Sequence, residues 1–503
     1  MSASNSYRTI LRSSSIIGGA QVVNILVGLI RMKIVAVLIG PSGVGLIGLY
    51  ANLMQTATTV AGLGIGNVGT RHIAKAHSED GVAEVGRTRR ILFWGALVLA
   101  TLGALVFWLF SGVIAGGVLG DPSKSSYVAW LAIGVALNVG AISQGALLTG
   151  MRRIGDLARI NVLAGLLGTV ANLAILWVWG MQGLIAVVLV TPAVTFLLGH
   201  VFVSRLGPPE GRRPTLREMT SEWGDMARLG FAFMLSGVVA TLGGLAVRSL
   251  VQRELGPDAL GQFQAAWVIG MTYLGFVLGA MGTDYFPRLT AVINDPKAAT
   301  RMVNEQTEVA LLLTAPILLT MLGFVPWVIS LLYTSDFAPA VEVLRWQLLG
   351  DILKVMSWPM GFVIVAAGAG KTFVATETTG MSALVLGTFV GLPIVGVTAT
   401  GIAFLAMYII YLPLVYWQAS RIIRFRMSKT VRKQAILLIL AAVIVDMAGR
   451  WSAPVGALLG STSAIAMGLW ALMRLSTMTE AGGRLGRLAA MGERINGWIT
   501  RKP

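Results

Sequence analysis

Two cations lie inside an apolar stretch near the N-terminus, where a charge needs a partner. The stretch that begins at Leu29 reads LIRMKIVAVLIGPSGVGLIGLY and contains Arg31 and Lys33, and a later apolar stretch contains Arg248. A charge at the centre of a bilayer costs about 2.5–3.5 kcal/mol on insertion scales, so it usually faces water or an anion. Arg31 and Arg248 are therefore predicted to face a polar cavity. Lys33 lies about 200° from Arg31 around a helix, so it either joins that cavity or extends toward the outer interface.

Amide and hydroxyl side chains recur at helical spacing in four apolar stretches. In the first of them, Gln21, Asn24 and Arg31 share one face, because the intervals between them and Gly28 are three or four residues. Such a face either lines a cavity or packs against another helix through small residues and hydrogen bonds, and the sequence leaves both interpretations open. The candidate cavity-lining residues are Gln21 and Asn24 in the first stretch, Asn52 and Gln55 in the second, Asn161 and Asn172 in the fifth, and Thr241 in the seventh.

One carboxylate, Asp351, lies deep in a later apolar stretch with a lysine close to it. Lys354 is three residues further on and shares its helical face, so the two charges can neutralise each other. The pair is predicted to be either a structural ion pair or a site for a coupling proton or ion. Asp351 is the best intramembrane carboxylate for the second role.

The composition shows that a membrane must position these residues. Apolar types make up 55% of the 503 residues and charged types 12%, and the mean hydropathy is +0.77, far from the balance of a soluble domain. A charge-poor run of roughly 18 residues or more can cross the ~30 Å hydrocarbon core as a helix. The sequence therefore predicts an all-α integral membrane protein with about 14 transmembrane helices. The predicted spans are 14–39, 43–66, 91–118, 127–150, 158–179, 183–204, 228–252, 259–283, 308–333, 343–367, 374–394, 398–420, 432–448 and 453–473.

The positive charges indicate how the chain crosses the membrane. The formal net charge is +17, and most of the 39 Lys and Arg residues lie at the N-terminus, in the even-numbered loops and in the C-terminal tail. This is the distribution that the positive-inside rule describes. Both termini are therefore predicted to be cytoplasmic, and the basic loops are expected to contact anionic lipid headgroups rather than nucleic acid.

Several catalytic and cofactor chemistries are excluded by what the sequence lacks. The chain has no cysteine and three histidines, so neither a thiol nucleophile nor a histidine metal centre is expected. Residues 366–374, AAGAGKTFV, resemble a phosphate-binding loop, but Val365 stands where GxxxxGK[ST] requires glycine. No metal, ATP or other cofactor is expected, and the protein is predicted not to be an enzyme.

A unit of six spans occurs twice. Gly40 and Pro41 in IGPSGVGLIG match Gly256 and Pro257 in LGPDALGQFQ at an offset of 216 residues, and an even number of spans gives both copies the same orientation. The predicted organisation is an N-terminal six-helix lobe at 1–205, a cytoplasmic linker at 206–227, a C-terminal six-helix lobe at 228–421, two additional transmembrane helices at 422–475, and a basic amphipathic cytoplasmic tail at 476–503. The tail either lies on the membrane surface or stays solvated.

The first two spans also resemble a known family. The segments IGPSGVGLIGLY and GLGIGNVGTRHIA look like those of Wzx-type polysaccharide flippases, which serve O-antigen, lipopolysaccharide or exopolysaccharide synthesis within the multidrug/oligosaccharidyl-lipid/polysaccharide transporter superfamily. The resemblance implies two parallel six-helix lobes around a central cavity in the bacterial inner membrane. It also implies alternating access, which moves an undecaprenyl-diphosphate-linked oligosaccharide from the cytoplasmic to the periplasmic leaflet.

The implied substrate gives the intramembrane cations a role. A diphosphate can enter a low-dielectric region only if fixed cations replace its lost hydration, and arginine binds phosphate in a bidentate way. Arg31, Lys33 and Arg248 are therefore the candidates for diphosphate binding. The expected partners are the lipid-linked oligosaccharide, membrane lipids and, as a further possibility, glycan polymerase or assembly proteins. Two alternatives stay open, namely a small-molecule or cation antiporter of the same fold and a non-transporting membrane partner of a glycan synthase complex.

Overall fold

The computed structural model describes residues 3–212 and 214–478, with side chains from Val23 to Arg474 apart from a few positions between them. Within these residues the chain forms fourteen α-helices, a few short 3-10 or π turns, and no strand. The helices are α1 (Ala3–Ala61), α2 (Ile65–Lys75), α3 (Gly81–Leu109), α4 (Ser111–Ile114), α5 (Ser125–Gly150), α6 (Ile154–Trp179), α7 (Leu184–Ser204), α8 (Leu216–Val292), α9 (Pro296–Leu332), α10 (Ala340–Ala366), α11 (Gly370–Val395), α12 (Thr398–Ile423), α13 (Lys429–Trp451) and α14 (Ala453–Met478).

These helices confirm the all-α membrane fold. In the described part of the chain nine helices are long and apolar enough to cross a membrane, or up to ten when one bent pair is counted as a span. Some of them hold two predicted spans each, as Val23–Ala61 and Ile154–Ser204 do. The predicted count of about 14 spans is compatible with this arrangement. The predicted tail, beyond its first three residues, lies outside the described residues.

The chain divides into two compact units. The first comprises Met1–Ala265 with the short segment Leu332–Phe337, and the second comprises Ala266–Leu331 with Ala338–Pro503. The first unit therefore holds α1 to α7 and the first part of α8, whereas the second holds the rest of α8 and α9 to α14. The lobe and linker boundaries that the sequence suggests stay a prediction.

The two Gly-Pro turns of the predicted repeat have the same backbone conformation. Gly40 interrupts α1 with φ 61° and ψ −168°, and Gly256 interrupts α8 with φ 83° and ψ −179°. This combination is essentially restricted to glycine, because a Cβ atom clashes with the backbone there. The match at a spacing of 216 residues agrees with the internal repeat that the sequence predicts.

The two turns also contact each other within the first unit. The hydroxyl of Ser42 donates a hydrogen bond to Asp258, and these residues are 216 positions apart. A methyl group at Gly45 would lie 2.6 Å from the amide nitrogen of Gly261 and 2.8 Å from the carbonyl oxygen of Pro257. Equivalent residues of the two copies therefore meet. The two turns pack against each other with approximate local twofold symmetry.

A second break falls further along each copy. The helix that follows the first turn ends at Ala61 and resumes at Ile65, with φ 43° at Leu63 and 69° at Gly64. In the second unit, α8 bends by 53° between Gly279 and Asp284, which is the equivalent point of the repeat. Broken helices inside membrane proteins are tolerated where protein or a cavity surrounds the backbone, and they commonly mark functional regions of transporters.

Helix α13 is attached to α10 by ion pairs near its C-terminal end, in which Arg345 and Asp446 are buried. Arg345 of α10 is 2% exposed, and its Nη1 donates to Asp446 Oδ1 of α13 at 3.2 Å. Arg450 of α13 donates to the other oxygen of Asp446 at 2.8 Å and to Glu342 of α10 at 2.5 Å. The four charges form a network that joins α13 to α10.

A second polar contact and close backbone packing attach α14 to α9. Arg474 Nε donates to Glu308 Oε1 at 2.8 Å, and Gln434 of α13 donates to the same oxygen at 3.4 Å. Further along, a methyl group at Gly323 would lie 2.8 Å from the carbonyl oxygen of Gly456, so the helices touch through their backbones. The two helices without a counterpart in the repeat thus form an integral part of the second unit.

Candidate functional site

Arg248 is buried in the first unit among uncharged polar groups. Its side chain is 4% exposed. Its Nε donates to Gln264 Oε1 at 3.1 Å, its Nη1 donates to the carbonyl oxygen of Gly244 at 3.0 Å, and the guanidinium lies 5.5 Å from the centre of the Phe263 ring. The amide, the carbonyl and the ring face stabilise the charge. Its role in binding a diphosphate stays a prediction.

The structure brings Asn52 close to Arg248. A methyl group at Gly244 would lie 3.2 Å from Arg248 Nη1 and 3.6 Å from Asn52 Nδ2, so both predicted site residues border this glycine. Asn52 Oδ1 is buried and has no hydrogen-bond partner among the described residues. An unsatisfied buried oxygen costs about 1–3 kcal/mol, so a ligand that donates a hydrogen bond here would relieve that cost.

Arg31 and Lys33 approach the segment Leu332–Phe337, which belongs to the same unit. The ammonium group of Lys33 donates a hydrogen bond to the carbonyl oxygen of Tyr333. The side chain of Tyr333 is also close enough to Arg31 for the two to interact electrostatically. Arg31 is partly exposed, and within the described part of the chain it forms no salt bridge. Lys33 is also partly exposed, so both N-terminal cations are more accessible than Arg248, which is 4% exposed.

Three of the predicted cavity-lining residues, Asn24, Asn172 and Thr241, contact helix atoms in the first unit. A methyl group at Gly165 would lie 2.5 Å from Asn24 Oδ1, Asn172 donates to Thr191 at 3.5 Å, and the hydroxyl of Thr241 donates to the carbonyl oxygen of Gly237 in its own helix at 3.0 Å. Of the two interpretations of these faces, packing is the one that these contacts illustrate.

Two of the predicted cavity-lining amides are exposed. Gln55 and Asn161 are both accessible, and Asn161 borders a cavity of about 200 Å³ between α5, α6 and α7 together with Asn138, Gln144 and Thr195. Neutral amides and hydroxyls of this kind suit a polar, uncharged ligand group. The side chain of Gln21 lies outside the described residues.

Asp351 and Lys354 form a buried polar group in the second unit. Asp351 is fully buried, and its Oδ2 accepts a hydrogen bond from the hydroxyl of Tyr273 at 2.5 Å. The ammonium group of Lys354 is 4.0 Å from Asp351 Oδ1 and 3.3 Å from Met271 Sδ. The predicted ion pair is therefore present at long range, and a tyrosine hydroxyl supplies the closer contact.

Gln347 lies one helical turn before Asp351 and adds further buried polar atoms next to the Asp351 carboxylate. Both its amide atoms and Asp351 Oδ1 are buried without a hydrogen-bond partner among the described residues. A methyl group at Gly270 would lie 3.5 Å from Gln347 Oε1 and 3.8 Å from Asp351 Oδ2, so the two side chains converge on this glycine. Buried polar atoms without a protein partner commonly bind an ordered water. The sequence could have identified Gln347, because it lies four residues before Asp351 and therefore on the same face of the helix.

Sequence reasoning also missed an acidic residue inside a span. Glu377 lies within α11, and its Oε1 accepts a hydrogen bond from the hydroxyl of Tyr411 at 2.5 Å. Its position inside the predicted span 374–394 was the available signal, because intramembrane acids are commonly functional. Within the described residues no group of three His, Cys, Asp or Glu side chains could hold a metal ion.

These features define a class of protein. Long apolar helices, helix breaks in each copy of a repeat, and charges buried inside the spans together describe a multi-pass membrane protein built like a secondary transporter. A family model described as "Polysaccharide biosynthesis protein" matches residues 10–292, more than half of the chain. The chain therefore belongs to this family, as the resemblance of its first two spans implies.

Comparisons with individual proteins agree with this assignment. The chain is 24% identical over 392 residues to the lipid III flippase of Escherichia coli strain K12. The aligned region covers 77% of this chain and 92% of the relative. Its fold is similar to that of the lipid II flippase MurJ in an inward closed conformation, with a TM-score of 0.70, 11% identity, and 90% and 97% of the two chains covered. It is also similar to an inward-facing MATE multidrug transporter, with a TM-score of 0.62, 15% identity, and 84% and 95% covered. These proteins are flippases and transporters rather than enzymes, as the sequence predicts for this chain.

Proposed function

We propose that the protein is a flippase that moves an undecaprenyl-diphosphate-linked oligosaccharide from the cytoplasmic to the periplasmic leaflet of the bacterial inner membrane, for the synthesis of a surface polysaccharide. The observation that carries the proposal is the match to the polysaccharide biosynthesis family. The flippase relative supports it, because it matches over most of its own length. The distribution of basic residues supports an orientation with both termini in the cytoplasm.

The proposed mechanism uses the intramembrane cations of the first unit. Arg31 meets the diphosphate first, because it is partly exposed and its guanidinium can bind two phosphate oxygens at once. Lys33 and Arg248 complete the site when they exchange Tyr333 and Gln264 for phosphate oxygens. Gln55 and Asn161, whose amides are exposed, contact the sugars. Alternating access then carries the headgroup across the membrane.

The energy source belongs to the second unit in this proposal. Asp351, Gln347 and Tyr273 form a buried group with unsatisfied oxygens, and a proton or monovalent cation that binds there favours one of the two access states. A ligand shifts a conformational equilibrium only by its difference in affinity for the two states. The site therefore has to be open to solvent in one state and closed in the other.

The experiment that tests the proposal compares a strain that lacks the protein with three complemented strains. The complemented strains express the native chain, Arg31→Gln, or Arg159→Gln, which removes the same charge from an exposed position. We measure the surface polysaccharide, the sidedness of the lipid-linked oligosaccharide and the abundance of each protein in the membrane. The deletion is expected to trap the oligosaccharide on the cytoplasmic side, the native chain and Arg159→Gln to restore export, and Arg31→Gln to restore little at equal abundance.

Two results would contradict the proposal. If deletion leaves both the surface polysaccharide and its sidedness unchanged in a strain without a redundant transporter, antiport of a small molecule becomes the better explanation. If the purified protein has no effect on the sidedness of the lipid in vesicles while deletion blocks export in cells, the protein is a non-transporting partner of a synthase complex. If Arg31→Gln exports normally, the function stands and the assignment of Arg31 is wrong.

A further inference from the structure

The small cavity between α5, α6 and α7 of the first unit has a size that suits one chemical group of a larger molecule. Its volume is about 200 Å³, below the range of about 300–1,000 Å³ that encloses most of a drug-sized ligand. Asn161 and Ile142 border it and are both exposed, so the cavity opens to the surface of the unit. A group that projects from a bound molecule can therefore enter while the rest of the molecule stays outside.

The cavity is polar but uncharged. Its polar lining consists of the amides of Asn138, Gln144 and Asn161 and the hydroxyl of Thr195, and among the described residues no ionisable side chain borders it. A phosphate or an amine in the cavity would exchange its hydration for neutral groups, and burial of a charge without a counter-charge is costly. The lining therefore favours a neutral group that both donates and accepts hydrogen bonds.

An unsatisfied oxygen in the cavity calls for a hydrogen-bond donor. The Oε1 atom of Gln144 is buried and has no hydrogen-bond partner in the described part of the chain. It lies over Gly199 of α7, because a methyl group there would be 2.1 Å from this oxygen. Since a buried acceptor without a donor is unfavourable, the group that enters is expected to bring an N–H or O–H group to Gln144.

The other polar side chains provide donors for a carbonyl oxygen. The amide nitrogens of Asn138 and Asn161 can each donate two hydrogen bonds, and both side chains border the cavity. The hydroxyl of Thr195 already donates to the carbonyl oxygen of Thr191 at 2.8 Å. A ligand group that carries a carbonyl oxygen beside its own donor therefore satisfies both kinds of partner.

Apolar side chains complete the wall of the cavity. Ala141 of α5 and Leu157 and Ile160 of α6 border the same space. An acetamido group combines one N–H donor, one carbonyl acceptor and one methyl group, so it matches the unsatisfied oxygen, the amide nitrogens and this apolar wall together. A sugar hydroxyl alone has no apolar part to cover the wall, which then faces water.

The cavity lies near the helix ends that are predicted to be cytoplasmic. Gln144 is six residues before the end of α5, Asn161 is seven residues after the start of α6, and Gly199 is five residues before the end of α7. At ~1.5 Å per residue, each lies roughly 8–11 Å from its helix end. The loop between α5 and α6 contains Arg152 and Arg153, as is typical of the cytoplasmic side. The sugars of a substrate that enters from the cytoplasm can therefore reach this depth.

From this complementarity, and resting on the proposed function, we propose that the cavity binds the acetamido group of an N-acetylated sugar in the lipid-linked oligosaccharide. The N–H group donates to Gln144 Oε1, the carbonyl oxygen accepts from the amides of Asn138 and Asn161, and the methyl group contacts Leu157 and Ile160. The cavity thereby selects a class of sugar, whereas a cationic site for the diphosphate does not distinguish one sugar from another.

The test measures the affinity of the purified full-length protein, in nanodiscs, for two matched probes. One is polyprenyl-diphosphate N-acetylglucosamine, and the other is polyprenyl-diphosphate glucose, in which a hydroxyl replaces the acetamido group. The acetamido probe is expected to bind about two- to tenfold more tightly, the ratio that one hydrogen bond of ordinary strength gives. An acetamido probe with a diazirine in its acyl group is expected to cross-link within 138–145, 157–161 and 195–199.

Two variants should remove this preference, and a third should keep it. Gly199→Ala places a methyl group on the position of Gln144 Oε1, and Gln144→Leu removes the acceptor with little change in size. Both are expected to bring the affinity ratio of the two probes to about one. Gly155→Ala in α6 is the matched control, because its methyl group would have no neighbour within 4 Å, and it should keep the native ratio. Gln144→Leu and the cross-link map decide the question if Gly199→Ala fails to fold.

The results separate this inference from the proposed function, because flipping of both probes is measured in liposomes with the same protein. Equal affinity of the native protein for the two probes would overturn the inference, as would a preference that survives in both variants or cross-links outside the cavity. If such a protein still flips the probes, the proposed function stands and the cavity holds water only. A preference that depends on Gln144, in a protein that moves neither probe, would support the acetamido site and count against the proposed flippase function.

Discussion

Gly45 lies where the two Gly-Pro turns of the first unit pack closely against each other, so Gly45→Ala tests whether the turns must touch. The added methyl group would lie 2.6 Å from the amide nitrogen of Gly261 and 2.8 Å from the carbonyl oxygen of Pro257, whereas Cβ atoms essentially never approach closer than 3.0 Å. The turns must therefore separate by about 0.4 Å or more. Because both opposing atoms are backbone, no flexible side chain can move aside, and we expect a loss of about 1–3 kcal/mol in the free energy of unfolding.

The matched control is Gly28→Ala in the same helix, where the added methyl group would have no neighbour within 4 Å. Alanine favours the helix over glycine by about 0.5–1 kcal/mol, so this variant should be at least as stable as the native protein. Both variants are purified in the same detergent, and thermal unfolding is followed by tryptophan fluorescence. A lower transition temperature in Gly45→Ala alone is expected. Equal transition temperatures in the two variants would refute the close contact between the turns.

Three further predictions follow from buried groups in α8, α10 and α13. Asp446→Ala removes the nearest carboxylate from the buried guanidinium of Arg345 and should destabilise the protein by about 3–5 kcal/mol in chemical denaturation; a cost below 1 kcal/mol would show that the network is dispensable. Gly256→Ala forces a side chain into φ 83° and should cost about 1–3 kcal/mol in thermal unfolding; wild-type stability would contradict the strained turn. Gln347→Leu removes two unsatisfied amide atoms and should leave stability unchanged or raise it, while polysaccharide export falls; unchanged export would exclude Gln347 from energy coupling.

The fold was largely predictable because its signals are local. A span is recognised from some twenty consecutive apolar residues, and most of the predicted spans lie within helices of the described chain. The predicted spans 43–66 and 91–118 continue past the ends of α1 and α3. The Gly-Pro turns were predictable for a similar reason, since only glycine adopts the backbone conformation at Gly40 and Gly256. The close contact of the two turns was not predictable, because no local pattern states that residues 216 positions apart will meet.

The candidate site was less predictable because its contacts are distant in sequence. The sequence identifies Arg248 as a cation inside a span, but it does not show that Gln264 would accept its hydrogen bond. It identifies Asp351, but not Tyr273, which lies in another helix and donates the closest hydrogen bond. The sequence shows which polar residues lie inside a span and which helical face they share. Whether that face lines a cavity or packs against another helix depends on the tertiary structure.

The central claim is that this protein itself moves a lipid-linked oligosaccharide across a membrane. The most direct test reconstitutes the purified protein in liposomes that contain a fluorescent polyprenyl-diphosphate oligosaccharide and measures how much of it a membrane-impermeant reagent can reach over time. The protected half of the probe is expected to become accessible with the native protein, and much more slowly with Arg31→Gln or in protein-free liposomes. A protected fraction that stays constant with correctly folded native protein, in the presence of either a proton or a sodium gradient, would contradict it.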